Sequence, residues 1–530
     1  MIYIHDLQLA PGERESKLKK LAAKRLCIDE KSISSLRIIK KSLDARKKGK
    51  IHYTYTVEVS FSGDESALLR SAKNVEAVPS VSHPYTIQKA SMPCSRPVIV
   101  GFGPAGMFAA LYLARAGARP IVLERGCDAP TRRAKVEAFW QSGTLDSECN
   151  VQFGEGGAGT FSDGKLNTGI KNERIQFVLD TFAQFGAPDS VRYDAKPHVG
   201  TDILFRVVQN LRSEVTALGG EVRFGHRLTS IRIENGGVTG VSVDSPDGAY
   251  ELDCGQLLLA VGHSARDTFE MLSAKGVPME PKAFSMGVRI EHLQREISLT
   301  QYGEAYKKLP AADYKLSCRL PDGSSAYTFC MCPGGYVVAA ASEAGGVVTN
   351  GMSYSGRSGE NANSALLVTL SPSDFPDKST LGGMYWQREI EQRAYACGGG
   401  NYRAPAQLVG DFLACRPSVG ARTVMPTYRP GVQYCDLRYV LPQKISCTIS
   451  KALPELSKKL RGFDAPDAVM TAPETRSSSP VRILRDKNMQ SSVAGLYPCG
   501  EGAGYAGGIT SAAVDGLRCA EAVMDSIFFL

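Results

Sequence analysis

Val98-Ile99-Val100-Gly101-Phe102-Gly103-Pro104-Ala105-Gly106, continued by Phe108 to Ala116 and then by Ile121-Val122-Leu123-Glu124, decides the fold. Three apolar residues make a short buried strand, and the glycines make a turn. An alanine-rich run ending at Gly117 makes a helix, and Ile121 to Leu123 start a second strand closed by an acid. In this context each glycine has its own duty. The first permits the tight turn, the second lets a diphosphate approach the backbone, and the third lets the helix pack on the strand. Phosphate then sits at the positive helix N-terminus. Glu124, eighteen residues past Gly106, is placed to accept hydrogen bonds from ribose hydroxyls. The stretch therefore predicts a dinucleotide site in an α/β domain.

Working outward, the chain repeats the strand, glycine turn and helix order at its far end: Leu496–Pro498, then Gly500 to Gly508, then a helix from about Ile509. Backbone donors at Gly508, Ile509 and Thr510 would face a ligand at that helix start, where developing negative charge is stabilised. A third glycine-dense segment, Gly154-Glu155-Gly156-Gly157-Ala158-Gly159-Thr160-Phe161-Ser162-Asp163-Gly164, lacks a preceding strand and a strand-ending acid at the right interval. It reads as a loop wrapped on the ligand through Gly154, Gly156, Gly157 and Gly159, the alternative being an Ω-loop without a ligand role.

Three motifs carry a family resemblance. Pro104-Ala105 inside the first turn, with Leu123-Glu124-Arg125 after it, resembles the N-terminal motif of flavoproteins with the glutathione-reductase-like FAD-binding fold. Leu257 to His263, including Gly262, resembles the second strand-to-loop motif of that fold, which covers part of the adenosine diphosphate. Gly495-Leu496-Tyr497-Pro498-Cys499-Gly500-Glu501-Gly502 resembles its C-terminal flavin motif, with Glu501 where the family has Asp. From about Pro97 onward the chain resembles the bacterial family of uncharacterised FAD-dependent dehydrogenases, through Pro197 to Asp202, Met286 to His292 and Glu474 to Arg482. The resemblance implies FAD as cofactor and a Rossmann-like fold, and it implies no substrate.

The first ninety residues read as strand, helix, strand, strand, helix, strand, a ferredoxin-like order. In the third strand Ile51, Tyr53, Tyr55, Val57, Val59 and Phe61 alternate with polar residues, so the aromatics point at the helices and not at an open, base-stacking face. This segment holds seventeen Lys or Arg against ten Asp or Glu and carries nearly all of the +8 net charge, with Lys40, Lys41, Arg46, Lys47, Lys48 and Lys50 in one short stretch. A solvated hairpin loop is the favoured reading of that stretch, and nucleic acid the rival. Ser91 to Pro97 reads as a linker. The expected domains are 1–92 (ferredoxin-like α+β), 93–280 (first part of the FAD-binding domain), 281–455 (a β-rich substrate domain) and 456–530 (the C-terminal part of the FAD-binding domain).

Composition, with 43% hydrophobic and 22% charged residues, is that of a globular protein. His5 and Asp6 interrupt any signal-peptide core, and the longest uncharged run, Val98 to Ala114, is the glycine turn and its helix, so no membrane span is expected. Fourteen cysteines without framework spacing favour reduced thiols and a cytoplasmic location. No Cys-x-x-Cys redox pair occurs; Cys330 and Cys332 would point the same way in a strand. Seven histidines show no zinc spacing, so no metal is expected. His198 and His292 are weighed as acid–base groups against structural roles. Arg476, Arg289 and Glu343 are the candidate catalytic residues. The expected activity is an FAD-dependent oxidoreductase (dehydrogenase or reductase) passing hydride through flavin N5 to or from an unknown small molecule, with transient docking of NADH or NADPH. The alternative is a flavoprotein acting on RNA through its basic N-terminal module.

Overall fold

A computed structural model describes residues 1–63, 66, 69, 73–77, 85–87 and 95–528. Most of the expected second helix of the N-terminal module and residues 91–94 of the expected linker lie outside the described residues.

The site is organised by a five-stranded parallel sheet, ordered Leu496–Pro498, Leu257–Leu259, Val98–Val100, Ile121–Glu124 and Glu221–Phe224. Strands from both ends of the chain are thus neighbours. Period-two alternation assigns their side chains. Ile99, Val122 and Leu258 pack with the helices Pro104–Arg115, Thr201–Ala217 and Ile509–Phe528. Val98, Val100, Ile121, Leu123, Leu257 and Leu259 face the other side. There a three-stranded antiparallel sheet, Arg227–Glu234, Gly237–Ser245 and Gly248–Asp253, supplies Leu228, Ile231 and Val241. Both faces are covered, as a parallel sheet requires.

A seven-stranded, mainly antiparallel sheet forms the second body, ordered Ser317–Arg319, Ser325–Cys332, Asn361–Leu370, Phe284–Leu293, Val469–Glu474, Ala404–Leu408 and Val432–Tyr434. It draws the strand Val469–Glu474 from beyond residue 455, so the chain recrosses to the parallel sheet after Glu474, later than the turn signals suggest. This body is also more helical than expected. Gly382–Cys397 begins with two glycines, and Gln443–Ser457 carries β-branched residues and an internal Pro454, features that mask a helix at sequence level. Tertiary packing overrides them: Ile445, Ile449, Leu453 and Leu456 are fully buried against the sheet.

The N-terminal strands pair in the order Ile33–Asp44, His52–Phe61, Ile2–Leu9 and Val75–Ala77, with Lys17–Leu26 packed on Tyr55, Val57 and Val59. The polar parity of the third strand, His52 to Ser60, faces away from that core. Lys41 pairs with Glu15 at 2.7 Å and Arg46 with Asp44, so part of the basic stretch is internally neutralised. The edge strand docks on the larger body: Lys41 N donates to Tyr193 O and Ala195 N to Lys41 O, each at 2.8 Å. No helix among the described residues is long and apolar enough to cross a membrane.

Candidate functional site

A cavity open to solvent runs along the C-terminal edge of the parallel strands and ends against the seven-stranded sheet. Its wall includes Gly101, Gly103, Pro104, Ala105, Glu124, Arg125, Gly157, Gly159, Gly262, Glu501, Gly508 and Ile509 from the sequence-stated set. The remainder of that set lies behind the wall. Gly106 abuts the Gly101 carbonyl, where a Cβ would come within 2.0 Å. Gly154 packs on Arg132, Gly156 on Thr160 and Gly500 on the Ala105 methyl. Thr510 donates its hydroxyl to Leu166 O at 2.6 Å.

The glycine turn folds as its sequence demands. Gly101 has φ +96° and no room for a Cβ beside Ala260 O. Gly103 caps the helix Pro104–Arg115 without a side-chain hydrogen bond, leaving the first-turn amides for a ligand. The buried Glu124 carboxylate accepts from Phe102 N at 2.7 Å and from Gly126 N and Gly154 N at 2.9 Å each. It therefore ties the two glycine loops together, and only its remaining lone pairs are left for a ribose. The second loop lies directly on the first: Gly156 N donates to Phe102 O, and Gly157 sits against the Gly103 backbone. Arg132, fully buried, holds that loop through the carbonyls of Asn150, Val151, Gly154 and Glu155. The C-terminal turn is held by Asp515, which accepts from Gly500 N at 2.7 Å and from Arg485 at 2.6 Å.

The cradle suits FAD. Two glycine-flanked helix starts converge on one cavity, that of Pro104–Arg115 without a side-chain cap, and a buried imidazole nitrogen, His263 Nε2, has no protein partner among the described residues.

At the other end, the seven-stranded sheet contributes Phe329, Cys330 and Glu474, the turn after Glu474 contributes Arg476 and Ser477, and a two-stranded ribbon, Tyr336–Ala339 with Thr349–Met352, contributes Thr349 and Asn350. Arg476 touches the cavity, yet its guanidinium is bidentate to Glu391 at 2.8 and 3.0 Å and also donates to Ser342. Arg266 binds the same Glu391 through two bonds of 2.9 Å. Burial disfavours the Glu391 carboxylate, but the two guanidiniums overcome it and hold its pKa down to about 2. Arg289 is not in the wall. It lies wholly buried, pairs with Glu474 at 2.8 Å and donates to Cys330 O and Asn363. Glu343 is also absent from the wall, held by Arg266 and Arg388. His292 is sealed in the core with Nε2 2.8 Å from Phe463 O, and burial pushes its pKa down. His198 lies behind Asp163 at 3.7 Å; burial, then the neighbouring Arg357, pull its pKa to about 4.

Cys330 and Cys332 do not share a face. The strand Ser325–Cys332 shifts register after Phe329, and Cys330 adopts φ +39°, which turns it toward the cavity while Cys332 is buried. Sequence reasoning also passed over Gln152, Asp163, Lys165 and Asn350, which line the cavity. Asp163 stands inside the glycine-dense segment and Lys165, which donates to Met331 O, directly follows it, and that adjacency was the available signal.

Residues 283–477 match the family described as FAD-dependent protein, C-terminal domain-like, and residues 1–60 a domain of unknown function, DUF8436. The matched domain and the cradle define an FAD-dependent oxidoreductase. The chain belongs to the same family as an uncharacterized protein of Clostridium beijerinckii (strain ATCC 51743 / NCIMB 8052), 47% identical over 99% of this chain and 98% of the relative. An anhydrotetracycline monooxygenase of Streptomyces rimosus is 31% identical over 169 residues, 30% of this chain and 29% of that one. Among solved structures, a glycerol-3-phosphate dehydrogenase from Bacillus halodurans complexed with FAD is 11% identical, covering 82% of this chain and 64% of that one, with a TM-score of 0.35. A likeness that low carries no argument about this chain.

Proposed function

We propose that FAD lies extended along the cavity, with its adenosine at Glu124 and Arg125, its diphosphate over the turn Gly101–Gly106 and its ring toward the seven-stranded sheet. The supporting observation is the interlocked pair of glycine loops at an uncapped helix start. Bound there, FAD supplies two-electron chemistry through N5, as in flavoproteins of the glutathione-reductase-like fold. The protein's part is binding, orientation and exclusion of water. Gly103 and Gly157 give the diphosphate backbone to approach, while Gly106, Gly154, Gly156 and Gly500 keep the loops close-packed. The amides at Ile509 and Thr510 bring a helix N-terminus to the pyrimidine side of the ring, while Gly508 N is held by Glu501. The substrate, a small molecule, then enters beside Cys330, Asn350 and Lys165, with Arg476 and Glu474 in the same wall. Arg289 orients Glu474 from behind, and Glu343 orients Arg266. NADH or NADPH, where used, docks transiently at the ring.

The test is purification without added cofactor. A yellow protein that releases intact FAD on denaturation is expected; a colourless protein that takes up no FAD refutes the assignment. Anaerobic titration with NADH, NADPH and candidate acceptors then identifies the electron donor.

A further inference from the structure

His263 and Glu501 come from different loops at the same edge of the parallel sheet, one following Leu257–Leu259 and the other following Leu496–Pro498. Their relative position is fixed by backbone contact. A Cβ on Gly502 would come within 2.5 Å of Gly262 O and 2.9 Å of Gly262 Cα, so the two loops touch where only glycine fits. His263 Nδ1 lies 3.3 Å from Glu501 Oε1, while Glu501 Oε2 accepts from Gly508 N at 3.3 Å. Both oxygens of this acid are therefore engaged inside the protein, one by the imidazole and one by the amide ahead of the helix Ile509–Phe528. Glu501 thus keeps only its remaining lone pairs for a ligand. His263 offers a whole ring nitrogen: its side chain is 9% exposed, it lines the cavity, and its Nε2 is buried without a partner among the described residues.

In the neutral ring with its proton on Nδ1, toward the carboxylate that can only accept, Nε2 presents a lone pair. The missing partner must then be a donor. A diphosphate has no hydrogen to give. The adenosine ribose lies at Glu124, and the strand Ile121–Glu124 is on the opposite side of Val98–Val100 from the strand that precedes His263. Between diphosphate and flavin ring, the donors of FAD are the hydroxyls of the ribityl chain. Resting on FAD as the resident cofactor, we infer that His263 Nε2 accepts a hydrogen bond from a ribityl hydroxyl, with Glu501 orienting the ring. The longer acid of this chain thereby acts through the imidazole, and the loop after Leu257–Leu259 contributes beyond covering the adenosine diphosphate.

The test measures equilibrium binding of FAD and of ADP to the deflavinated full-length protein and to two variants. His263→Asn retains a donor near the Nδ1 position and loses Nε2; His263→Gln reaches the Nε2 position with an amide oxygen. His263→Asn is expected to weaken FAD binding about fivefold to tenfold, the loss of one hydrogen bond, and to leave ADP binding unchanged. His263→Gln is expected to stay within about twofold of wild type for both ligands. Equal losses for FAD and ADP would put the contact on the adenosine diphosphate half and overturn the inference. So would unchanged FAD binding in His263→Asn, or equal FAD losses in both variants. A wild-type protein that takes up no FAD overturns the cofactor assignment itself, a different failure from an FAD-replete protein indifferent to position 263.

Discussion

Gly103 and Gly106 stand in one turn and carry different loads. A Cβ at Gly103 meets nothing nearer than Gly157 Cα at 3.6 Å, an ordinary contact, whereas one at Gly106 lands 2.0 Å from Gly101 O. Gly103→Ala should therefore fold normally and lose FAD affinity by about a hundredfold, because its methyl occupies the line of approach of the diphosphate. Gly106→Ala should lose about 3 kcal/mol or more of stability by overpacking, with or without FAD. Apoprotein melts and FAD titrations separate the two; normal FAD binding by Gly103→Ala would move the diphosphate elsewhere. His198 supports a second residue-scale prediction. Its pKa is about 4 in the folded protein, lowered by burial and then by Arg357, against roughly 6.5 in an unfolded chain. Between these values the unfolded chain binds more protons, so stability from this group is complete above pH ~6.5 and is lost as pH falls through about 4. The melting temperature should drop from pH 7.5 to pH 4.5, and His198→Gln should flatten that part of the profile. An equally steep profile in the variant would assign the acid sensitivity to other groups.

The strand Val469–Glu474, the turn after it and the helices Gly382–Cys397 and Arg266–Ala274 meet at Glu391, which both Arg476 and Arg266 grip. This clasp joins the seven-stranded body to the parallel-sheet body. Lysine cannot reproduce the two-bond fork of Arg476, so Arg476→Lys should cost about 2 kcal/mol of stability while retaining FAD. Unchanged melting with roughly tenfold slower flavin reduction, about 1.4 kcal/mol in the barrier, would instead give Arg476 a part in the chemistry. The sequence makes Arg476 visible as a lone cation in a serine- and proline-rich turn. Its partner Glu391 is invisible there, 85 residues away in a helix whose glycine start hides it. The same contrast holds across the site. The first glycine turn is legible because strand, turn, helix and acid are consecutive. Arg132 under the second loop, His263 facing Glu501 and the cavity-facing twist at Cys330 are products of tertiary packing, and no local spacing announces them. Arg289 and Glu343 read in the sequence as polar groups facing the substrate, but charge type alone does not say on which side of the wall a side chain lies: Arg289 is buried in a strand and Glu343 sits in a loop held by two arginines.

At the scale of the whole chain, the described residues contain one parallel sheet that carries the full strand, glycine turn, helix and acid sequence. The second glycine loop, Gly154 to Gly164, follows no strand and rests on the first turn through Gly157 and Gly103, so it completes the first cradle and does not start another. The remaining sheets are antiparallel or, in the seven-stranded body, mainly so, and no parallel strand there leads into a glycine turn at a helix start. Among the described residues no second cradle of this kind is present for a nicotinamide nucleotide, which is expected to approach the proposed flavin site through the open side of the cavity. The purified protein should hold one FAD per chain. NADH or NADPH, if it reduces that FAD, should do so with a dissociation constant in the range of weak transient partners, roughly 10 µM or above, equivalent to about −7 kcal/mol or weaker. Absorbance at saturation and protein concentration give the first quantity, and anaerobic stopped-flow reduction against nicotinamide concentration gives the second. Nicotinamide nucleotide that survives gel filtration at one per chain alongside a full complement of FAD would require a second built site, and the single-cradle reading of this fold would then be wrong.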